Sequence, residues 1–333
     1  MKQDWAVVGG GMLGGVAALR LSEAGHNVTL FESQASLGGL ASQCRHDTMA
    51  WDRFYHVIED SDIHLLTLLK ELNLDDQVVW DTTKTNYYDG KSLYPLNNAL
   101  DYLKLPALSS LDKIRIGLTI LYGSMIKSPD KLESIPLTTW LKKWSGESAF
   151  NRLWLTLLRG KLGDNYQVAS AAFIWSVIQR FYGARSGVKK TETFGYVSGG
   201  YASILEKLDR TLEENHVSVL TGHVVRKINE VDKRLTVFSN ADEHIFDRIL
   251  LTIPSPPLSS ICEQLSPAET QQHSSLKYQG VVCVSLLLSK PLVGASLPHI
   301  LDDVVPFKTV YERTIWFDPN QLGDKNLVNL LQH

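Results

Sequence analysis

The feature that most constrains this chain is a glycine-rich turn that joins a short apolar run to a helix-forming segment near the N-terminus. Residues 5–8 form an apolar run typical of a buried parallel strand. Gly9, Gly11 and Gly14 then follow the pattern G-x-G-x-x-G. The first glycine permits a tight turn, the second lets the backbone approach a pyrophosphate, and the third allows close helix–sheet packing. The segment therefore predicts a βαβ unit that binds a dinucleotide.

The helix after this turn supplies further groups for the phosphates. It is predicted from about Met12 to Glu23. The N–H groups of its first turn have no partner within the helix, and its positive end favours an anion. Met12 and Leu13 are therefore predicted to contact the cofactor together with the three glycines.

An acidic residue ends the second predicted strand, which covers residues 28–31. Glu32 stands about 20 residues beyond the glycines, where a carboxylate accepts hydrogen bonds from a ribose diol. Because a carboxylate repels a 2′-phosphate, NADP is disfavoured, whereas FAD and NAD both remain. Ser33, the next residue, is included in the predicted site. The alternative, a βαβ turn without a ligand, leaves the glycines and the acid unexplained together.

A glycine pair, Gly38 and Gly39, follows Glu32 after five residues and precedes Leu40. In this combination the chain resembles the FAD-dependent amine oxidase superfamily, which includes protoporphyrinogen oxidase, phytoene desaturase and, more distantly, UDP-galactopyranose mutase. The resemblance implies FAD as the cofactor, with contacts from the glycine pair and Leu40. Family members often have Arg or Lys where Leu40 stands. The implied fold is α/β, with a Rossmann-like FAD-binding domain of the glutathione-reductase type and an inserted, mainly helical substrate domain.

Later segments continue the resemblance. The pair Gly199-Gly200 resembles the family's glycines before a helix, and residues 246–254 resemble a returning strand. Val224 and Val225 resemble the strand whose backbone contacts the adenine. Before these segments, from about residue 92 to residue 190, the chain is helical and aromatic-rich, with a strong helix candidate at 111–126. The resulting division is a discontinuous FAD-binding domain, residues 1–91 and 192–258, and a substrate domain, residues 92–191 and 259–333.

Superfamily members also carry a C-terminal segment that returns to the FAD domain, and we find no second flavin-side glycine motif after Gly200. We therefore expect a shortened form with reduced affinity for FAD.

Candidate catalytic residues occur in two polar runs. His56 can exchange a proton near neutral pH, and Arg53 lies in the same run, which passes the flavin in family members. Lys161 and Arg159 could hold an anionic substrate. For His56 the structural alternative is a hydrogen-bonded histidine. For Arg159 and Lys161 it is a solvated helix end.

The resemblance predicts an FAD-dependent oxidoreductase that transfers a hydride from an organic substrate to flavin. One alternative is a flavin enzyme without net redox, such as a sugar-nucleotide mutase, which needs an arginine-rich pocket for a diphosphate. Arg53, Arg159, Arg180 and Arg185 make that alternative chemically feasible. A second alternative is a non-catalytic remnant that keeps the fold and has lost productive flavin binding.

Composition and charge limit the partners and the compartment that the sequence predicts. A net charge of −3 without a Lys/Arg run gives no reason to expect nucleic acid as a partner, so the expected partner is a small-molecule substrate. Cys44, Cys262 and Cys283 lie far apart, which favours free thiols in a reducing compartment, the cytoplasm, and no metal site. The sequence contains no apolar run of about 18 residues, so no membrane span is predicted. A membrane-surface role for residues 118–125 is a minor alternative, and the oligomeric state stays open.

Overall fold

A computed structural model describes residues 1–82, 85–88, 91–95, 101, 104–183, 193–240, 242–292, 297–300, 307–313 and 322–332. The chain divides into two compact units, each discontinuous in sequence. Three segments predicted in the FAD-binding domain belong to the second unit: residues 57–66, the described residues of 78–91, and residues 193–196. Residues 259–278, predicted in the substrate domain, belong to the first unit. The functional labels of the two domains remain predictions. The first unit is Met1–His56, Thr67–Gln77 and Val197–Tyr278, and the second is Val57–Leu66, Val78–Tyr196 and Gln279–His333.

A four-stranded parallel sheet forms the centre of the first unit. Ala6, Val7 and Leu30 are fully buried in it. Strands of a parallel sheet are covered on both faces, so they read as apolar runs rather than alternating ones. The spatial order is β13-β1-β2-β9, with β1 at Asp4–Val8, β2 at Asn27–Glu32, β9 at Ser218–Thr221 and β13 at Arg248–Leu251.

Two helices of the first unit, α1 (Met12–Glu23) and α8 (Tyr201–Glu214), pack against each other. The bounds of α1 coincide with the predicted ones. A Cβ atom on Gly15 would lie 2.8 Å from a methyl carbon of Leu208, so the small residue brings the two helices close. Helix α8 buries one apolar stripe at helical spacing, which comprises Ile204, Leu205, Leu208 and Leu212.

A second apolar core in the first unit lies under a three-stranded antiparallel sheet and includes Phe31, Val237 and Phe246. The strands of that sheet are β10 (Val225–Val231), β11 (Arg234–Ser239) and β12 (Asp242–Phe246). The unit also contains the hairpin β3 (Gln43–His46) and β4 (Met49–Asp52) and the helices α9 (Leu258–Ile261) and α10 (Pro267–Ser275). Helix α2 (Ile63–Glu71) begins in the part of the sequence assigned to the second unit and ends in the part assigned to the first.

The second unit contains a helical block in which Leu137, Leu141 and Ala149 are fully buried. Its longest helix starts at a capping box, in which the Ser109 hydroxyl and the Asp112 carboxylate each accept a backbone N–H of the other residue. A π-helical turn, Phe150–Trp154, joins two of its helices. The helices are α3 (Ser110–Met125), α4 (Asp130–Glu133), α5 (Leu137–Ala149), α6 (Leu155–Leu162) and α7 (Ala171–Gly183).

The second unit also contains a six-stranded sheet with the order β14-β17-β16-β15-β6-β7. Its strands come from both sides of the helical block, and β15 pairs with β6 in parallel. The unit is therefore mixed α/β, although its continuous central segment is helical as predicted. The sheet strands are β6 (Thr85–Tyr88), β7 (Leu93–Pro95), β14 (Val282–Leu288), β15 (Leu297–Ile300), β16 (Thr309–Glu312) and β17 (Asn326–Gln332), and β5 (Val78–Thr82) with β8 (Thr193–Val197) forms a separate ladder.

Candidate cofactor site

The candidate site lies at the carboxyl edge of the four-stranded sheet of the first unit. Val8 pairs with Phe31 on one side and with Leu251 on the other, so β1, β2 and β13 end at the same level. Strand β1 is flanked by the strand that follows it in the chain and by the last strand of the sheet. In open α/β sheets, ligands bind outside the carboxyl ends of the strands at such a change of direction.

The glycine turn after β1 has no space for a side chain at Gly14, but it has open space at Gly11. Gly9 adopts a φ of +109°, and its N–H donates to the Phe31 carbonyl at 2.8 Å. A Cβ on Gly14 would lie 1.8 Å from the Gly9 carbonyl oxygen. A Cβ on Gly11 would meet no atom within 4 Å. The structure thus requires glycine at position 14 for packing, while Gly11 leaves a space that a ligand can enter.

Thr252 supports this turn, although the sequence analysis did not single it out. Its hydroxyl lies 3.0 Å from the Val8 carbonyl oxygen and 2.9 Å from the Gly9 carbonyl oxygen, which both accept from it. Its backbone N–H also donates to Val8 at 2.9 Å. The available signal was a threonine directly after the returning strand, which alone did not indicate a partner 244 residues away.

Glu32 is buried at the end of β2 and holds backbone groups of the turn. Its Oε2 accepts the Gly10 N–H at 2.7 Å, and its Oε1 accepts the Gln34 N–H at 2.7 Å. The Ser33 hydroxyl donates to the same Oε1 at 3.1 Å. An ionised carboxylate offers about four acceptor sites, so capacity remains for a ribose hydroxyl. The residues present therefore fit the nucleotide that the sequence predicts.

The glycine pair lies directly against the turn. The Gly38 N–H donates to the Gly10 carbonyl at 2.8 Å, and the two segments form an isolated parallel bridge at Gly11. Gly38 and Gly39 have φ values of +132° and +53°, which side chains rarely adopt. A Cβ on Gly39 would lie 3.2 Å from the Gly11 Cα. The pair thus forms a second wall next to the open space at Gly11.

Apolar side chains face solvent beside this space. Leu13, on the first turn of α1, is 70% exposed, and Leu40, after the glycine pair, is 73% exposed. Met12 is half-buried. These exposed side chains are available to a bound group.

The loop after β9 meets Glu32 through its backbone. The Gly222 N–H donates to the Gln34 carbonyl at 2.7 Å, and the His223 N–H donates to the Glu32 carbonyl at 2.8 Å. The structure therefore places Val224 one residue beyond a direct contact with Glu32, at the same sheet edge. This proximity brings the predicted adenine segment to the predicted ribose acceptor.

Asn240 fixes this loop and was also missed by the sequence analysis. Its side-chain amide donates to the Gly222 carbonyl at 3.1 Å, and its Oδ1 accepts the Val224 N–H at 3.3 Å. Val225 begins β10 and pairs with Ser239. The local signal is the asparagine itself, since asparagine tolerates the observed φ of +53°.

His56 contacts the glycine-pair segment from the outside. Its Nε2 lies 3.3 Å from the Leu40 carbonyl oxygen, and its ring centroid lies 4.7 Å from that of Tyr201. The Arg53 side chain is exposed, and its guanidinium carbon lies 5.9 Å from the Phe54 ring centroid. The backbone N–H of Arg53 donates to the Ser42 carbonyl at 2.9 Å. This geometry gives His56 a hydrogen-bonded structural position.

Asp52, in the same run, joins it to helix α8. The carboxylate is buried, and its Oδ1 accepts the N–H of Tyr201, the first residue of α8, at 2.9 Å. Gly199 and Gly200 precede that helix with φ values of +81° and +76°. Asp52 therefore caps a helix that begins 149 residues later.

The remaining candidate cations lie in the second unit. Lys161 is exposed in the last turn of α6. The Arg159 guanidinium carbon lies 5.9 Å from the ring centroid of Tyr166. Arg180 pairs with Glu59 at 3.0 Å and with Asp62 at 3.3 Å, which commits its charge to two carboxylates. Arg185 lies outside the described residues.

Neither a metal cluster nor a membrane span occurs in the part of the chain that the structure describes. No three His, Cys, Asp or Glu side chains gather there in a way that could hold a metal ion. Within the same residues, no helix combines the length and apolar character needed to cross a bilayer.

The parallel sheet, its glycine turn and the buried acid at its carboxyl edge define a dinucleotide-binding α/β protein. The sequence model of the flavin-containing amine oxidoreductase family matches residues 14–331, and the chain belongs to that family. This membership confirms the predicted family and the predicted flavin cofactor.

Curated relatives match shorter segments. A mitochondrial protoporphyrinogen oxidase of Nicotiana tabacum is 27% identical over 114 residues, which cover 33% of this chain and 23% of the relative. A 15-cis-phytoene desaturase of Synechococcus elongatus is 24% identical over 200 residues, which cover 55% of this chain and 42% of the relative. The matched segments thus span less than half the length of these two relatives.

Solved structures confirm the fold over nearly the whole chain. An oxidoreductase from Methanosarcina mazei superposes with a TM-score of 0.77 at 20% identity, covering 99% of this chain and 78% of that one. A putrescine oxidase variant superposes with a TM-score of 0.78 at 18% identity, covering 100% of this chain and 75% of that one. At these identities the likeness establishes the α/β fold alone.

Proposed function

We propose that this protein binds FAD at the carboxyl edge of its parallel sheet and acts as an FAD-dependent oxidoreductase on an organic substrate. The observation that carries the proposal is the convergence of three features at one edge. Gly11 leaves open space, Glu32 offers remaining acceptor capacity, and Gly38-Gly39 forms the adjoining wall. Together they support a Rossmann-like interpretation of the first unit.

In this proposal the chain holds the cofactor mainly through its backbone. The N–H groups at the start of α1, from Gly11 to Gly14, receive the pyrophosphate, while Glu32 receives the ribose. The segment Val224-Val225 receives the adenine. When bound, FAD supplies the hydride acceptor. Leu13 and Leu40, which are largely exposed without a ligand, lose contact with water when the nucleotide covers them.

Roles for the polar candidates follow from their surroundings. His56 orients the Leu40 carbonyl, and through it the glycine pair, rather than acting as a free acid or base. Arg53 and Lys161 are exposed and remain candidates for holding an anionic substrate group. The mutase alternative receives less support, since Arg180 is paired with two carboxylates. The names of the relatives support oxidation at a C–H or C–N bond. The dispersed cysteines support the cytoplasm as the compartment.

Flavin binding is tested first, on the purified full chain reconstituted with FAD. The expected result is a flavin absorbance spectrum that persists through gel filtration, with a dissociation constant from fluorescence quenching. Gly11→Ala fills the open space with a methyl group, so we expect FAD affinity to fall at least about tenfold, or ~1.4 kcal/mol, with an unchanged melting temperature of the apoprotein. Gly280→Ala is the matched control, since its Cβ also meets no atom within 4 Å.

Anaerobic reduction then separates the reaction classes. Bleaching of the bound flavin by candidate amines or desaturable substrates supports the oxidoreductase. Conversion of a UDP-sugar only by pre-reduced enzyme would instead identify a mutase. Failure of the folded chain to take up FAD would leave the non-catalytic alternative.

A further inference from the structure

Helix α3 of the second unit carries a row of exposed apolar side chains. Their positions repeat at intervals of three and four residues, and at about 100° per residue they fall on one stripe of the helix. The repeat is the spacing by which helices pack against each other along a common seam. We call this row the α3 stripe; it comprises Leu111, Ile114, Leu118, Leu121 and Met125, which are 46–70% exposed.

The opposite face of the same helix is already used inside the unit. Ile116, Thr119 and Gly123 are buried against the helical block. Helix α3 therefore presents an apolar stripe to the outside in addition to the face it needs for folding. A helix that only closed a core would place polar residues on its outer face.

Two aromatic side chains extend the stripe. Tyr122 is 40% exposed on α3, and Trp144 is 37% exposed on α5. Their ring centroids lie 4.1 Å apart, so they form one continuous surface. With the stripe they form one patch of seven exposed apolar and aromatic side chains. A contiguous exposed apolar patch of this kind marks an interaction site.

The stripe is nearly symmetric about its centre, which indicates what can cover it. Leu111 and Met125 lie seven residues before and after Leu118, and Ile114 and Tyr122 lie four before and four after it. A second copy placed antiparallel across a two-fold axis at Leu118 would set Leu118 against itself, Leu111 against Met125 and Ile114 against Tyr122, and only Leu121 would face a polar position, 115. Antiparallel helices also set the positive end of one dipole beside the negative end of the other.

We propose that the α3 stripe is an interface between two copies of this chain, with the α3 helices antiparallel across a two-fold axis at Leu118. The pairing is isologous, so the same patch serves both partners. The interface is built by the second unit alone and does not depend on the proposed flavin chemistry.

The first experiment measures the mass of the full-length protein by light scattering and sedimentation at several concentrations. We expect about twice 37.3 kDa for the natural sequence. Leu118→Glu places a charge at the axis and should weaken dimerisation by about 100-fold or more. Val168→Glu is the matched control, because Val168 is 66% exposed in the same unit and off the stripe, and it should remain dimeric. Circular dichroism verifies that both variants fold.

Cysteine cross-linking tests the orientation. Leu118→Cys should form a disulfide with its own copy under mild oxidation. Leu111→Cys and Met125→Cys should cross-link only when the two variants are mixed, because an antiparallel pair sets position 111 of one copy against position 125 of the other. Cross-linking of Leu111→Cys with itself would contradict the antiparallel arrangement.

Two results would overturn the proposal. One is a natural sequence that stays monomeric at about 50 µM, a concentration that populates any dimer of micromolar affinity. The other is a monomer that binds vesicles of phosphatidylcholine and phosphatidylserine and loses that binding in Leu118→Glu, which would make the stripe a lipid contact.

Discussion

The sheet edge of the first unit and the helical block of the second are built on different principles. At the edge, the contacts involve backbone groups: Glu32 accepts hydrogen bonds from two backbone N–H groups, and Gly14 has no space for a Cβ beside the Gly9 carbonyl. In the helical block, side chains satisfy one another, and Gly117 on α3 faces open space. The edge therefore requires particular residues at particular backbone positions, whereas the block requires a filled and hydrogen-bonded interior.

Ser145 shows how the helical block treats a buried polar group. It is fully buried on α5, accepts the Trp154 indole N–H at 3.0 Å and lies 3.1 Å from the Thr119 hydroxyl. That hydroxyl itself donates to the Arg115 carbonyl at 2.7 Å, so Ser145 donates to Thr119. Each of these side chains thus has a partner inside the block.

The largest expected effect comes from adding one methyl group at the sheet edge. Gly14→Ala should destabilise the protein by about 3 kcal/mol or more, because the new Cβ would overlap the Gly9 carbonyl oxygen. Gly117→Ala, a helical glycine in open space, should be neutral or stabilise by up to about 1 kcal/mol. Urea unfolding of both variants measures the difference, and equal effects would contradict the contrast between the two regions.

A smaller effect is expected when the buried acid loses its charge. Glu32→Gln keeps the shape of the side chain but places an amide donor against the N–H of Gly10 or Gln34, so we expect a loss of about 2 kcal/mol together with weaker FAD binding. The control is Glu23→Gln, whose carboxylate makes a surface ion pair with Arg20, which should cost at most about 1 kcal/mol. Calorimetry of the apoprotein and FAD titration separate the two consequences.

In the helical block, the corresponding test removes a hydroxyl. Ser145→Ala leaves the buried indole N–H of Trp154 without its acceptor and should cost about 1–2 kcal/mol, with FAD affinity unchanged. Ser176→Ala serves as control, since that exposed hydroxyl only donates to its own helix backbone at Phe173. A loss of FAD affinity in Ser145→Ala would show that the block and the site are coupled.

The smallest expected effect concerns pH and compares one capping box from each region. The Ser109 hydroxyl lowers the pKa of Asp112 in the second unit, and the Ser266 hydroxyl lowers the pKa of Glu269 in the first. Because each carboxyl binds a proton less readily when folded, its stabilising contribution is complete above its unfolded pKa, about 4, and is lost as pH falls through the lower folded value. Unfolding measured between pH 7 and 3 should show a shallower loss for Asp112→Asn and Glu269→Gln. An unchanged slope would contradict this prediction.

Much of the sheet edge could be predicted because its signals are local. Helix α1 has its predicted bounds, and Glu32 ends β2 as expected. The helix predicted at 111–126 is observed at Ser110–Met125, since a capping box and apolar spacing mark it in the sequence. The parallel pairing of β15 with β6 was not predicted, because no local pattern encodes a partner so distant in the chain.

By itself, the sequence determined the glycine turn, the acid that follows it, the glycine pair and the positions of the main helices. Only the tertiary structure brought Thr252 and Asn240 to the turn and the loop that they hold. It also showed that the apolar stripe of α3 is exposed. The physical reason is that backbone conformation and helical spacing depend on neighbours in sequence, whereas hydrogen-bond partners and burial depend on which distant segments pack together.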